Sequence, residues 1–413
     1  MPMSLEDAQA LDAADPLRGF RSQFQLPDGF IYLDGNSLGA APKATFDEID
    51  QAMRHEWAED LITSWNKAGW FSLVTELGDQ LAKLIGAGAG EVVVCDTVST
   101  NIFKLLHAAL GLRPDRKVIV GEGHCFPTDL YMSEGVAATA SGVQLRMQGV
   151  DGDRLEDLID DTVAVALINH VDYRTGELRD MAALTKIAHD AGALVIWDLC
   201  HSAGALPVDL NGAEADFAVG CTYKYLNGGP GAPGFIFAAQ RHLAEVTQPL
   251  SGWWGHAAPF AFERGYRGDA GIRKFLCGTQ PILSLRAVKP ALDIFSQADM
   301  GALRTKSQAL GNLFIDLVEE RCAGHGLSLT CPRDADRRGS QVSFSHEEAY
   351  AILQALIADD VIGDFRAPNV MRFGFAPLYV GYADVWRAVD RLVHILESGI
   401  WQNERFHQRG AVT

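Results

Sequence analysis

Short runs of consecutive apolar residues punctuate the first two thirds of the chain: Glu91–Cys95 (EVVVC), Lys117–Val120 (KVIV), Val163–Ile168 (VAVALI), Ala193–Trp197 (ALVIW) and Gly234–Ala238 (GFIFA). Runs of this length, apolar on both faces, predict strands covered by helices on either side. Between the third and fourth, MAALTKIAHDAG repeats its apolar positions at helical spacing and stops at Gly192. A strand, a helix and a strand in that order predict a parallel pair, because parallel strands need a long crossover. The fold class expected is α/β, a mostly parallel sheet flanked by helices. From about Pro290 long amphipathic helices take over (ALDIFSQADMGALRTKSQALGNLFIDLVEER), followed by a short strand candidate at Gln341–Phe344 and a final helix near Asp384–Leu396. We therefore expect an N-terminal segment (1–45) lying on the small domain or across the mouth of the large one, a large domain (46–289) and a smaller α+β C-terminal domain (290–413).

Charge narrows the partners. The 413 residues carry 35 basic and 53 acidic side chains, a net −18, which argues against nucleic acid or an anionic membrane surface as a partner. An anionic ligand would need a local positive pocket. Seven cysteines, an odd number without a C-x-x-C pair, suit reduced thiols, and the N-terminus MPMSLEDAQALDAADP has no signal-peptide core. No stretch approaches the roughly 18 apolar residues of a membrane span. A cytoplasmic location is the expectation. The histidines do not fall at metal-ligand spacing, so no metal is expected. GAGAG at 86–90 precedes a strand instead of joining a strand to a helix, which makes it a turn and not a dinucleotide fingerprint.

The stretch Val195–Gly234 holds the densest chemistry. Asp198 closes an apolar strand, where ligands of open α/β sheets gather, and Lys224 follows 26 residues later, in a Tyr-Lys-Tyr triplet before a glycine-rich loop. A lysine of this kind can form a Schiff base with an aldehyde cofactor, and a carboxylate against a pyridine nitrogen keeps that ring an electron sink. Spacing alone leaves open that Lys224 is a loop lysine and Asp198 a helix cap. Ser99, Thr100 and Asn101 open a helix after the first strand, a place for a phosphate or for ordinary capping. In HCFPTD, Phe126 and Asp129 stand just past the second strand, where an aromatic ring could stack on a flat cofactor or simply pack.

Taken in order, YLDGNSLGAAP, DLITSWNKAGWF, VCDTVSTNIFKLL, FPTDLY, WDLCHSAGALPVDL, GCTYKYLNGGPGAPG, SGWWGH, PRDADRRGSQVSF and MRFGFAPLY resemble the kynureninase family, pyridoxal-phosphate enzymes of the aspartate-aminotransferase fold (fold type I). The resemblance covers most of the chain. It implies pyridoxal 5'-phosphate as cofactor, a Schiff base on Lys224, Asp198 at the pyridine nitrogen, Phe126 on the ring face, and His201 and Asn169 near the polar edge. Val98, Ser99 and Asp129 would help seat the cofactor, and Tyr223 would serve both phosphate and reacting carbons, making Lys224, Tyr223 and Asp198 the catalytic set. Trp253 of SGWWGH and Thr279 of CGTQP are implied to come from the neighbouring subunit of a homodimer with shared sites. Arg372 would take the substrate α-carboxylate through its two-pronged guanidinium, with a solvated arginine as the alternative. Asn36 and Trp65 would line the substrate pocket. The implied reaction is hydrolysis of the β,γ carbon–carbon bond of L-kynurenine, or of its 3-hydroxylated form, to an anthranilate and L-alanine, in tryptophan breakdown or NAD biosynthesis. An aminotransferase, or a desulfurase using Cys331, are the enzymatic alternatives, and a cofactor-free binding module the non-enzymatic one.

Overall fold

The computed structural model describes residues 3–149 and 154–410. Each of the five apolar runs becomes a strand of one seven-stranded sheet: β1 (Val92–Val94), β2 (Val118–Gly121), β4 (Val163–Asn169), β5 (Leu194–Asp198) and β7 (Gly234–Ala238). Two more join them. Strand β6 (Phe217–Cys221) is the apolar segment that leads to Lys224, while β3 (Gln144–Met147) is an edge strand with no buried residue, so its sequence carries no apolar run. The spatial order is β1-β7-β6-β5-β4-β2-β3. Every pair from β6 to β3 is parallel, and β7 runs antiparallel to both its neighbours. The physical reason is the connection: β6 reaches β7 through TYKYLNGGPGAP without a crossover helix, and a return loop of that kind reverses direction. Reversing twice turns β1 back to the direction of β6. The carboxyl ends of β1, β2, β4, β5 and β6 therefore share one edge of the sheet with the start of β7, and helices Val98–Leu112 and Pro127–Thr139 begin there.

The helix Ile282–Phe295 runs through Pro290, so position 290 lies within it. A second helix, Met300–Arg321, restarts at Asp299, whose carboxylate accepts the Gly301 N–H at 3.0 Å; the amphipathic run expected after Pro290 is thus two helices. Beyond it, β8 (Ser328–Leu329), β9 (Gln341–Ser345), β10 (Asp364–Arg366) and β11 (Val370–Gly374) form an antiparallel sheet in the order β8-β9-β11-β10. Helices Ala349–Ala358 and Met300–Arg321 pack on it, and Tyr382–Ser398 packs on both of them.

The N-terminal segment binds to both layers. Helix Leu5–Ala14 lies on Tyr382–Ser398, where the Asp12 carboxylate accepts the main-chain N–H groups of Tyr382 (2.6 Å) and Ala383 (2.9 Å). Ile31–Tyr32 pairs with Val361–Ile362, and Leu33 accepts the Gly374 N–H at 2.7 Å. Six residues on, Gly39 donates to the Tyr223 carbonyl at 2.8 Å, just past β6 of the seven-stranded sheet. Among the described residues no helix is long and apolar enough to cross a membrane.

Candidate active site

At the shared strand edge the chain leaves a cleft of about 200 Å³. Asp198, the last residue of β5, and Lys224, three residues past β6, both line it, so two residues distant in sequence meet because their strands are neighbours. The Lys224 Nζ lies 3.3 Å from His201 Nε2, 5.6 Å from the centroid of the Phe126 ring and 5.9 Å from that of Tyr223. Val98, Ser99, Asn169, His201 and Tyr223 line the same cleft, and Asp129 is buried directly behind it. Eight of the residues singled out in the sequence thus converge with Asp129 on one place. A larger groove beside Arg154 and Arg337 holds none of them.

The two ends of the cleft differ in kind. At one end Thr97 caps the helix Val98–Leu112, its hydroxyl accepting the Thr100 N–H at 3.3 Å, and the first-turn amides point outward as they do at any helix start. The Ser99 and Thr128 hydroxyls meet there at 2.9 Å. This end suits a phosphate. At the other end burial pushes the Asp198 carboxyl above its ordinary range, although the Cys200 N–H donates to it at 2.6 Å. Burial, and then the Asp198 charge, push Asp129 well above the carboxylate range. Asp129 Oδ2 accepts from Asn169 Nδ2 at 2.9 Å, and its buried Oδ1 has no hydrogen-bond donor. Burial thus favours the neutral form at both carboxyls. A flat heteroaromatic aldehyde carrying a phosphate fits this arrangement: hydroxyls and amides for the phosphate, Phe126 on a face, Asp198 for a ring nitrogen and Lys224 for the aldehyde.

The remaining groups are set for proton work. Burial, and then the Lys224 charge, drive the His201 imidazole well below its usual range, which favours the neutral ring, a hydrogen-bond partner and a weak base. Burial keeps the Tyr223 phenol protonated.

Other expected residues lie elsewhere. Arg372, on β11, is not solvated: only 1% of its side chain is exposed. Its Nε donates to Asp364 Oδ1 at 2.8 Å, its Nη2 to Asp364 Oδ2 and to Ser37 Oγ (3.0 Å), and its Nη1 to the Tyr173 carbonyl. Asn36 is fully buried, its side-chain amide has no partner, and its main chain meets His201. Trp253 is 44% exposed and Thr279 is exposed, and neither lines the cleft of its own chain. Trp65 belongs with them: its ring packs on Trp254 (5.0 Å between centroids), which in turn packs on Trp253 (4.6 Å). Sequence reasoning passed over Thr97 and Thr128, both on the cleft wall, and Asp364 and Ser37, which hold Arg372. Thr128 could have been found, since it follows Pro127 at a helix start next to Phe126. Cys331 is buried on the small-domain side and does not line the cleft. Among the described residues no group of three His, Cys, Asp or Glu could hold a metal.

Comparison with known proteins gives the family and the fold. The family model described as the kynureninase C-terminal domain matches residues 303–392. The chain is 54% identical to a kynureninase of Burkholderia pseudomallei over 99% of each chain, and 53% identical to that of Pseudomonas fluorescens over 98% of this chain and 99% of that one. Among solved structures, the cysteine desulfurase of Thermococcus onnurineus superposes with a TM-score of 0.76 at 19% identity, covering 92% of this chain and 98% of its own. A mutant of the enzyme called C-DES, with glycine covalently linked to its PLP cofactor, gives 0.76 at 18% identity over 90% and 98%. These last two share the fold.

Proposed function

Because the chain belongs to the kynureninase family, we propose that its cleft carries out the pyridoxal-phosphate-dependent hydrolysis of L-kynurenine to anthranilate and L-alanine with Lys224, Asp198 and Tyr223 as its catalytic groups. One observation carries the assignment of roles: Lys224, Asp198 and the Phe126 ring meet in a single cleft at the carboxyl edge of the sheet. Pyridoxal phosphate, when bound, supplies an aldehyde for the substrate amine and a ring that accepts the electron pair of the bond being broken.

The chain's own groups do the rest. Ser99, Thr128 and the first-turn amides of Val98 and Ser99 hold the phosphate, Phe126 covers one face of the ring, and Asp198, backed by Asp129 and Asn169, keeps the ring nitrogen protonated. Lys224, once released by the incoming amine, takes the proton from the substrate α-carbon at Nζ. Neutral His201, 3.3 Å away, accepts a hydrogen bond from that amine and orients it. Tyr223, protonated, donates its phenol O–H to the side-chain carbonyl as water adds to it. Arg372 orients the substrate carboxylate: Asp364 fixes the plane of its guanidinium, and the bonds to Ser37 and Tyr173 are those a carboxylate would replace. Asn36 closes this side of the pocket.

The active unit is a homodimer, in which Trp253, Thr279 and Trp65 reach the cleft of the partner subunit. Trp253 and Thr279 are exposed and do not line the home cleft, and Trp65 joins Trp253 through Trp254, which supports that reading. We read the enzyme as cytoplasmic, serving tryptophan breakdown or NAD biosynthesis, and acting on L-kynurenine or its 3-hydroxylated form. Incubation with L-kynurenine tests the assignment: fluorescent anthranilate with stoichiometric alanine is expected, whereas a keto acid formed from L-kynurenine when a 2-oxo acid is added as amino acceptor, or sulfur release from L-cysteine with no anthranilate from L-kynurenine, would replace it with transamination or desulfuration.

A further inference from the structure

The carboxyl end of the cleft is braced from behind by a residue the reaction gives no task. Glu122 follows β2, is 4% exposed and does not line the cleft. Its Oε2 accepts the main-chain N–H of Asn169 at 2.7 Å. Its Oε1 accepts Nη2 and Nε of Arg179, at 2.8 and 3.2 Å. Asn169 ends β4 directly opposite Asp198 on β5, and its side-chain amide donates to Asp129 at 2.9 Å. A continuous line of contacts thus runs from Arg179 through Glu122, Asn169 and Asp129 to Asp198. Satisfying one peptide N–H does not require a charge; a buried carboxylate is costly to desolvate, and a neutral acceptor would do the same work. An ion pair at this point instead fixes direction, since the arginine fork locks the carboxylate plane and with it the Asn169 peptide.

Resting on the reading of the cleft given above, we propose that Glu122, clamped by Arg179, is a positioning residue for the cofactor: it sets the Asn169 peptide so that the Asn169 amide holds Asp129 against Asp198, the carboxyl that meets the ring nitrogen. It acts through other residues and touches neither substrate nor cofactor.

The test uses the holoenzyme and four variants, Glu122→Ala, Glu122→Gln, Arg179→Gln and the Glu122→Ala/Arg179→Gln pair. Each is read by pyridoxal-phosphate titration, by the position of the visible absorbance band, and by kcat and KM for L-kynurenine. Glu122→Ala should weaken cofactor retention and lower kcat by about 10-fold each, as loss of an outer support does at other bound groups, and it should move the band. Its KM should stay within about twofold of wild type, because the Arg372 side is untouched. The pair should be no worse than Glu122→Ala alone, since both act through one contact. Glu122→Gln, which keeps an acceptor for Asn169, should recover part of kcat.

Wild-type cofactor affinity, band and kcat in Glu122→Ala would overturn the proposal, as would a lower Tm with band and kcat unmoved. Should Glu122→Ala fail to fold, Arg179→Gln decides by the same criteria, its side chain being partly exposed. If wild-type protein neither binds pyridoxal phosphate nor releases anthranilate, the functional reading itself falls. Unaltered variants of an active wild type sink the positioning role alone.

Discussion

Lys224 and Asp198 announce themselves because each ends an apolar run, and ends of neighbouring strands meet. Lys224→Ala should abolish the visible absorbance of bound cofactor and reduce anthranilate release to background, which spectra and a fluorescence assay would record. Arg372 was less legible. Its motif suggests a carboxylate binder, but its burial depends on Asp364, which only strand pairing sets directly opposite it. Arg372→Lys should raise KM for L-kynurenine by at least about 10-fold, since an ammonium cannot replace a two-pronged clasp; a KM equal to wild type would remove Arg372 from the substrate. A third residue, Asp216, lies away from the cleft. Burial pushes its carboxyl up, but hydrogen bonds from His189 (2.9 Å) and His242 (2.8 Å) outweigh it and hold the carboxyl well below its ordinary range. A depressed folded value stabilises above the unfolded value of about 3.9 and is lost as pH falls through the folded one. Asp216→Asn should therefore cost about 3 kcal/mol at pH 7, and the gap from wild type in denaturant melts should begin to narrow below about pH 4 and close only as pH falls through the depressed folded value.

Strands with continuous apolar runs could be read directly from the chain; β3 could not, because an exposed edge needs no apolar code. The antiparallel course of β7 was hidden for another reason. Direction is a property of the connection, and the TYKYLNGGPGAP loop shows it only once one knows that no helix intervenes. The DGNSLG turn illustrates tight contact between elements. A Cβ placed on Gly39 would come within 2.3 Å of the Lys224 carbonyl oxygen and 2.7 Å of the Asn227 Cα, both main-chain atoms that cannot swing aside. Gly39→Ala should therefore shift the lysine-bearing loop, lowering kcat and cofactor affinity while circular dichroism shows an unchanged helix and strand content.

For the whole molecule, the sequence resemblance assigned Trp253 and Thr279 to a neighbour; neither lines the home cleft, and the assignment is left to a subunit-mixing test. Trp65 could not be sorted this way from sequence, because its contact with Trp254 joins segments almost two hundred residues apart. Mixing makes the arrangement measurable. Lys224→Ala and Trp253→Ala proteins, each impaired alone, should on subunit exchange regain about a quarter of wild-type activity, as half the dimers are hybrids with one intact site in two. No recovery after verified exchange would confine each site to one chain. The path of the N-terminal segment bears on how such a site opens. From Leu33, bonded to Gly374, to Gly39, bonded to Tyr223, the backbone can be drawn out to roughly 20 Å at most, and much of that slack is wound into the turn closed by Asp34. The sheet that carries Arg372 and the peptide beside Lys224 are thus on one short leash. Any gape wide enough to admit an aryl amino acid has to pivot about that knot or untie it.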